Sequence, residues 1–271
     1  MANYEAPAEI RPLEKMLKDF AYNNGKSISQ VFDDWLYFII GNFNMNPEPQ
    51  QWWSYTKEQN MQFHKMFEEW IMLMERQIKR HEWFDVFGEL YESCVVSKGT
   101  RDCNSQFFTP PSICDLMTVI NTGDSKVTGK TVLDPTCGSG RTLLSFHAHH
   151  PGNKYFAEDI DRTCCLMTVA NFIIHGIEGE VVWHNSLIPD SWNGGWHTNE
   201  YLNNPFSPFM GLPIPHMREI GREQSVIIWH WENRRREMEE QRQPTETIFL
   251  EPQQINFTYP TGKAVQLTLW D

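Results

Sequence analysis

The chain has 271 residues, 40% of them hydrophobic, with 23 Lys and Arg against 35 Asp and Glu and a formal net charge of -12. That length accommodates one sizeable α/β domain plus a helical addition, and with no bilayer-length apolar run and no basic-then-apolar start, a cytoplasmic protein with no membrane association is expected. The acidic balance repels phosphate on average, so any affinity for nucleic acid must come from a local basic patch or from a partner.

From the N-terminus, apolar residues recur at three-to-four spacing over 10–22, 27–43, 57–80 and 82–96, broken by Asn24-Gly25 and by Asn46-Pro47-Glu48-Pro49. These predict a helical domain over 1–100. The third helix lines up Phe63, Met66, Phe67, Trp70, Met74 and Ile78, a stripe better suited to a bundle core than to a ligand box. After a polar connector at 97–104, an α/β domain is expected over 101–271. The six cysteines, at 94, 103, 114, 137, 164 and 165, lack metal-ligand spacing and read as free thiols, and no metal site is expected.

Thr131-Val132-Leu133-Asp134-Pro135-Thr136-Cys137-Gly138-Ser139-Gly140-Arg141 reads as a buried strand ending on a carboxylate, then a glycine turn, then a helix. Gly138 and Gly140 permit positive φ and close approach of a ligand, and the helix start offers free N–H groups. The segment lacks the Lys-Ser/Thr of a phosphate-cradling loop and the three-glycine spacing of a dinucleotide fingerprint. Asp134 would repel a pyrophosphate but suits a ligand with positive charge, such as the amino group and sulfonium of S-adenosylmethionine. About twenty residues on, Tyr155-Phe156-Ala157-Glu158-Asp159 reads as a second strand with acids at its end, where a ribose-binding carboxylate is expected; Asp159 is the candidate. Asp161 reads as a helix N-cap and is left outside the site. Strands over 130–133, 154–157 and 180–183, alternating with helices over 141–150 and 161–175, predict a parallel, Rossmann-like sheet with a ligand at the carboxyl ends of its strands.

Upstream, Ser105-Gln106-Phe107-Phe108-Thr109-Pro110-Pro111 precedes a short amphipathic run from Ile113 to Ile120. Together with the glycine turn and the acidic second strand, it resembles the N6-adenine DNA methyltransferase family, in particular the modification subunits of type I restriction systems. There, QF(F/Y)TP, DP(T/S)CGSG and the second-strand acid form the S-adenosylmethionine pocket. The resemblance runs from about residue 84 to 187 and includes Phe87-Gly88-Glu89-Leu90-Tyr91-Glu92 as the last helix before the core. It implies a shortened S-adenosylmethionine-dependent methyltransferase sheet behind the helical domain. It also implies cofactor contacts from Phe107, Phe108, Thr109, Asp134, Thr136, Gly138, Gly140, Asp159 and Asn185, the last standing where the family usually has an aspartate that accepts from the adenine amino group. Taken alone, Phe107 and Phe108 read better as core aromatics, and their place in QFFTPP brings the two readings level.

Methyl transfer to an exocyclic adenine nitrogen needs acceptors that hold the amino group and an aromatic face for the flipped base. The resembling family uses an Asn/Asp-Pro-Pro-Phe/Tyr loop after the fourth strand. The nearest match is Asn203-Asn204-Pro205-Phe206, one proline short, which also reads as a surface Asn-Pro turn. Residues 193–200 before it look too polar for a buried fourth strand. A helix is expected over 217–243, carrying Arg218, Arg222, Arg234, Arg235, Arg236 and Arg242 interleaved with glutamates, as either a self-paired solvated surface or a phosphate-tracking face. Strands are expected over 247–250, 255–259 and 264–270, the last two joined through Pro260-Thr261-Gly262-Lys263 as a C-terminal β-hairpin. Gln266-Leu267-Thr268-Leu269-Trp270 resembles a sliding-clamp docking peptide but alternates as a final strand would. The expected function is N6-adenine methylation of DNA, with target choice left to a separate target-recognition subunit. The alternative is a catalytically silent cofactor-binding subunit that scaffolds or regulates a partner.

Overall fold

The computed structural model describes residues 6–45, 54–95, 108–188, 190–200, 202 and 215–241. The elements are α1 (Arg11–Asn23), α2 (Ile28–Asn42), α3 (Lys57–Ile78), α4 (Val86–Leu90) running on as a π-helical turn (Tyr91–Val95), and α5 (Pro111–Thr122). Then come β1 (Thr131–Asp134), α6 (Arg141–His149), β2 (Lys154–Asp159), α7 (Arg162–His175), β3 (Gly179–Trp183), β4 (Gly194–Thr198), β5 (Met217–Ile220) and, after a 3-10 turn (Arg222–Gln224), α8 (Val226–Gln241). Met1–His230 is one compact unit and Trp231–Asp271 another.

Helices α2, α3 and α7 begin where side chains satisfy their first N–H groups. Ser27 caps α2 through the Gln30 N–H, Thr56 and Gln59 form a reciprocal capping box on α3, and Asp161 caps α7 through the N–H groups of Thr163 and Cys164. Helix α3 buries Phe63, Met66, Trp70, Leu73, Met74 and Gln77. The expected bundle stripe is therefore real, except that Ile78 at its end is exposed and Leu73 belongs to it. Phe32, Trp35, Trp70 and Phe87 continue this apolar core without a break into the residues of α7 and the sheet. Helix α2 packs on α7, where the Thr163 hydroxyl donates to Asp33 at 2.8 Å.

The sheet runs β1-β2-β3-β4-β5. Strands β1, β2 and β3 are parallel, as expected, whereas β4 is antiparallel to β3 and β5 antiparallel to β4. Two expectations are corrected here. Residues 194–198 form a strand despite their polarity, and 217–220 belong to β5 rather than to a helix that starts only at Val226. Antiparallel pairing at the end of a sheet tolerates polar side chains that find partners, and the ones in β4 do. His197 lies 3.0 Å from Glu180 and 2.9 Å from Glu200, and Arg218 of β5 grips Glu200 with two N–H donors. Gly195 is required by close packing, since a Cβ there would come within 2.6 Å of the Trp192 ring. Glu180 also accepts from the N–H groups of Val226 and Ile227, fastening the start of α8 to β3.

Three of the six arginines expected on a charged helix are matched with acids. Arg218 pairs with Glu200, Arg222 with Asp190 and Arg235 with Glu239. Within the second unit, Arg234 lies over the Trp231 ring at 5.8 Å. The three C-terminal strands and the hairpin, Arg242 and the Gln266–Trp270 peptide lie outside the described residues. No described helix is long and apolar enough to cross a membrane.

Candidate functional site

Strands β1 and β2 are adjacent and parallel, so Asp134 and Asp159 emerge at the same end of the sheet. The turn after β1 takes left-handed conformations at Gly138, φ 57°, and Gly140, φ 86°. A side chain at Gly138 is excluded twice, because a Cβ there would also lie 2.9 Å from the Phe108 ring. Phe108 is held over the turn by Tyr91, stacked at 5.5 Å and 26°, and its ring lies 5.4 Å from the Arg141 guanidinium.

The two carboxylates shape the turn as well as facing the solvent side of it. Asp159 accepts from the N–H groups of Gly138 at 2.9 Å and Asp161 at 2.8 Å. Asp134 accepts from the Thr136 N–H at 3.1 Å and from the Thr142 hydroxyl. Burial pushes the Asp159 carboxyl above the usual range; the two N–H donors pull it back, and the charges of Asp161 and Asp134 add to the push. This end of the sheet therefore has an excess of negative charge that a cationic ligand would relieve. A cavity of about 220 Å³ opens here, lined among others by Phe108, Thr109, Asp134, Thr136 and Gly138. It is smaller than a pocket that encloses a whole cofactor, so it suits one end of a ligand whose remainder lies across Gly138 toward Asp159.

Arg141, the first residue of α6, lines the same cavity, but its guanidinium is already committed. It reaches Asp85 at 2.7 Å, Glu92 at 2.9 Å and Glu89 at 3.1 Å, with only 4% of its side chain exposed. Burial opposes its charge, yet the three carboxylates hold the guanidinium protonated more firmly than usual. Asp85 also accepts from the Ser139 hydroxyl at 2.5 Å and from the Asn171 amide at 2.8 Å. The glycine turn is thus bolted from below to α4 and α7. This bolt was missed in the sequence, although Asp85, Glu89 and Glu92 repeat at helical spacing just before a motif ending in arginine. The π-helical turn at Tyr91 lets one short segment serve both Phe108, through Tyr91, and Arg141, through Glu92. A second omission is Ile160, which follows the acidic end of β2 and is 68% exposed beside Asp159.

Of the expected site residues, Phe108, Thr109, Asp134, Thr136, Gly138 and Gly140 come together around the turn, with Asp159 joined to it through the Gly138 N–H. Asn185 follows β3 at the same end of the sheet. Its side-chain oxygen accepts from the Leu187 N–H at 3.0 Å, so one of its two acceptor positions is used by the chain itself. Phe107, Asn203, Asn204, Pro205 and Phe206 lie outside the described residues. The described neighbours of that last group are at the opposite end: Thr198 is paired with Gly179 at the start of β3, and the Leu202 N–H donates to Asn199.

Residues 82–209 match the family described as N-6 DNA Methylase, so the resemblance drawn from the motifs holds over that stretch. The type I restriction enzyme MjaIX methylase subunit of Methanocaldococcus jannaschii is 28% identical over 145 residues, covering 50% of this chain and 24% of that protein. The chain thus spans about a quarter of the length of that curated relative. A crystal structure of a type I restriction-modification system methyltransferase subunit from Streptococcus thermophilus is 20% identical, with a TM-score of 0.31, covering 65% of this chain and 39% of that one.

Proposed function

From a chain whose residues 82–209 match the N-6 DNA Methylase family, we infer a protein that binds S-adenosylmethionine at the carboxyl ends of β1 and β2 and serves N6 methylation of adenine in DNA. The single observation that carries this reading is the pair of carboxylates, Asp134 and Asp159, flanking a glycine turn that a Cβ would block. Asp134 is suited to accept from the ligand's ammonium group, the open N–H groups at the start of α6 to meet its carboxylate, and Asp159 to take the ribose hydroxyls. Phe108 and Thr109 wall the cavity, and Asn185 keeps an acceptor position for the adenine amino group. The bound cofactor supplies an electrophilic methyl group on a sulfonium. Asn203 or Asn204 would hold the target amino group and Phe206 would stack on the flipped base, worth about 1 to 3 kcal/mol. Because the chain is acidic, choice of DNA sequence is assigned to a separate target-recognition subunit.

The experiment is calorimetric titration with S-adenosylmethionine, followed by transfer of labelled methyl to mixed-sequence single- and double-stranded DNA with identification of product nucleosides. Wild type should bind and Asp159→Asn should bind at least tenfold more weakly; undiminished affinity in that variant removes Asp159 from the site. N6-methyladenine should be the product, and Asn203→Ala or Asn204→Ala should lower turnover far more than affinity. Binding without transfer to any DNA would assign the chain to cofactor-binding subunits that work through a partner.

A further inference from the structure

Strand ends open before strand middles, and the candidate site hangs on two of them. The backbone ladder between β2 and β3 finishes where the His184 N–H donates to the Asp159 carbonyl at 3.0 Å. Beyond that rung the chain passes directly to Asn185. The glycine turn is fastened to the same end of β2, since the Cys137 N–H donates to the Glu158 carbonyl at 2.9 Å and the Gly138 N–H to the Asp159 carboxylate at 2.9 Å. A change in the separation or twist of these two strand ends would therefore move Asp159, the turn and Asn185 relative to one another.

Two side-chain bonds clasp the strand ends, one from each face. On the face of Asp159, the Trp183 indole donates to the Ile160 carbonyl at 3.1 Å. On the opposite face, register sets Glu158 beside Val182 and brings His184, two residues further on, to the same side. There His184 Nε2 lies 2.6 Å from Glu158 Oε2, with both side chains 0% exposed. Alternation along β2 thus puts one carboxylate in the site and its neighbour in sequence behind it. Stability does not account for the hidden pair, because apolar residues of the same volume would hold the fold as well or better than two groups taken out of water. His184 Nδ1 is moreover buried with no hydrogen-bond partner among the described residues, a further cost of a histidine at this place. What an apolar pair would lack is direction. A hydrogen bond fixes both distance and angle between the two strand ends, where apolar contact fixes neither.

We propose that Glu158 and His184 are positioning residues of the candidate site, whose hydrogen bond sets the spacing of Asp159 and Asn185 and with it the affinity for a nucleoside held between them. The nucleoside half of this statement rests on the cofactor reading; the spacing half does not. With the carboxylate as acceptor, the His184 ring donates through its Nε2–H. Glu158 acts through Asp159, the next residue of β2, and His184 through Asn185, the next residue after its own. Glu180 shares this face of the sheet but is engaged further back along β3, by His197 and by the start of α8, so the two clusters serve different ends of the strand.

The test uses the full chain. Glu158→Leu combined with His184→Leu removes the bond without leaving one partner buried alone, so the melting temperature should stay near that of wild type. Hydrogen exchange with no ligand added should then be at least tenfold faster at the Cys137 and Gly138 amides. Calorimetry should show S-adenosylmethionine and S-adenosylhomocysteine, which share one nucleoside, both bound at least tenfold more weakly and by the same factor. His184→Gln, whose amide reaches the place of Nε2, should keep wild-type exchange and affinity, whereas His184→Asn, too short to reach it, should lose both. Unchanged exchange at Cys137 and Gly138, or undiminished affinity, in a folded protein that lacks the bond, whether the double variant or His184→Asn, would overturn the positioning role. Faster exchange in those variants, together with a wild type that binds neither nucleoside, would support the spacing role and sink the cofactor reading alone.

Discussion

Removing the guanidinium beneath the glycine turn is the most informative perturbation of this fold. In Arg141→Met a side chain of comparable length remains, but Asp85, Glu89 and Glu92 lose the guanidinium they share, at side-chain exposures of 1%, 8% and 12%. Breaking a buried pair by removing one partner costs about 3 to 5 kcal/mol, because it leaves charge in a low-dielectric site without compensation. For a chain of this size that corresponds to a fall in melting temperature of roughly 10 °C. At a slope near 2 to 3 kcal/mol/M the urea midpoint should fall by about 1 to 2 M. The deficit also carries a pH signature. Burial already pushes the Glu92 carboxyl above its usual range, with the charge of Arg141 working against that push. Without Arg141 it rises further, and a carboxyl raised in the folded state costs stability only as the pH climbs past its unfolded value of about 4.5. Urea titrations at pH 8 and pH 4 should therefore show a large deficit at the first and a smaller one at the second. A deficit under about 1 kcal/mol, or one equal at both pH values, would mean that the cluster is not a cation-dependent bolt. The exposed Lys15–Asp19 pair is the control, and its loss should leave the midpoint unmoved.

Two further outcomes follow from the same geometry. Burial opposes the charge on His197, but hydrogen bonds to Glu180 and Glu200 prevail and raise it to about 9 from 6.5; its stabilising charge is complete below pH 6.5 and lost as pH rises through about 9, a swing of up to about 3 kcal/mol. Urea midpoints should decline across that window in wild type and stay flat in His197→Gln, and a flat wild-type profile would exclude a charged His197. Gly138→Ala, which meets both a positive φ and the Phe108 ring, should cost about 1 to 2 kcal/mol in strain and weaken S-adenosylmethionine binding at least tenfold by calorimetry; unchanged affinity would show that the Phe108 contact does not shape the cavity.

The parallel half of the sheet was legible because its residues obey local rules. Thr131-Val132-Leu133 and Val181-Val182-Trp183 are short β-branched or apolar runs, and the glycine turn can adopt few conformations other than the one it has. Asp161 was read as a cap and acts as one. The antiparallel half was not legible, because nothing local reveals that His197 has an acid waiting on β3 in addition to the one three residues along its own chain. Gly194-Gly195-Trp196-His197-Thr198 looks like a polar loop until Glu180, Glu200 and Arg218 are brought together by pairing across 38 residues of sequence, from 180 to 218. The consequence reaches the candidate site. Strand β4, added to β3 in the opposite sense, ends beside Gly179, at the other end of the sheet from Asp134 and Asp159. Among the described residues no strand pairs with the outer side of β1, and the apolar stripe of α5 is exposed. The two ends of the sheet separate experimentally: Asp159→Asn should weaken S-adenosylmethionine binding, and His197→Gln, beside the start of β3, should leave it unchanged.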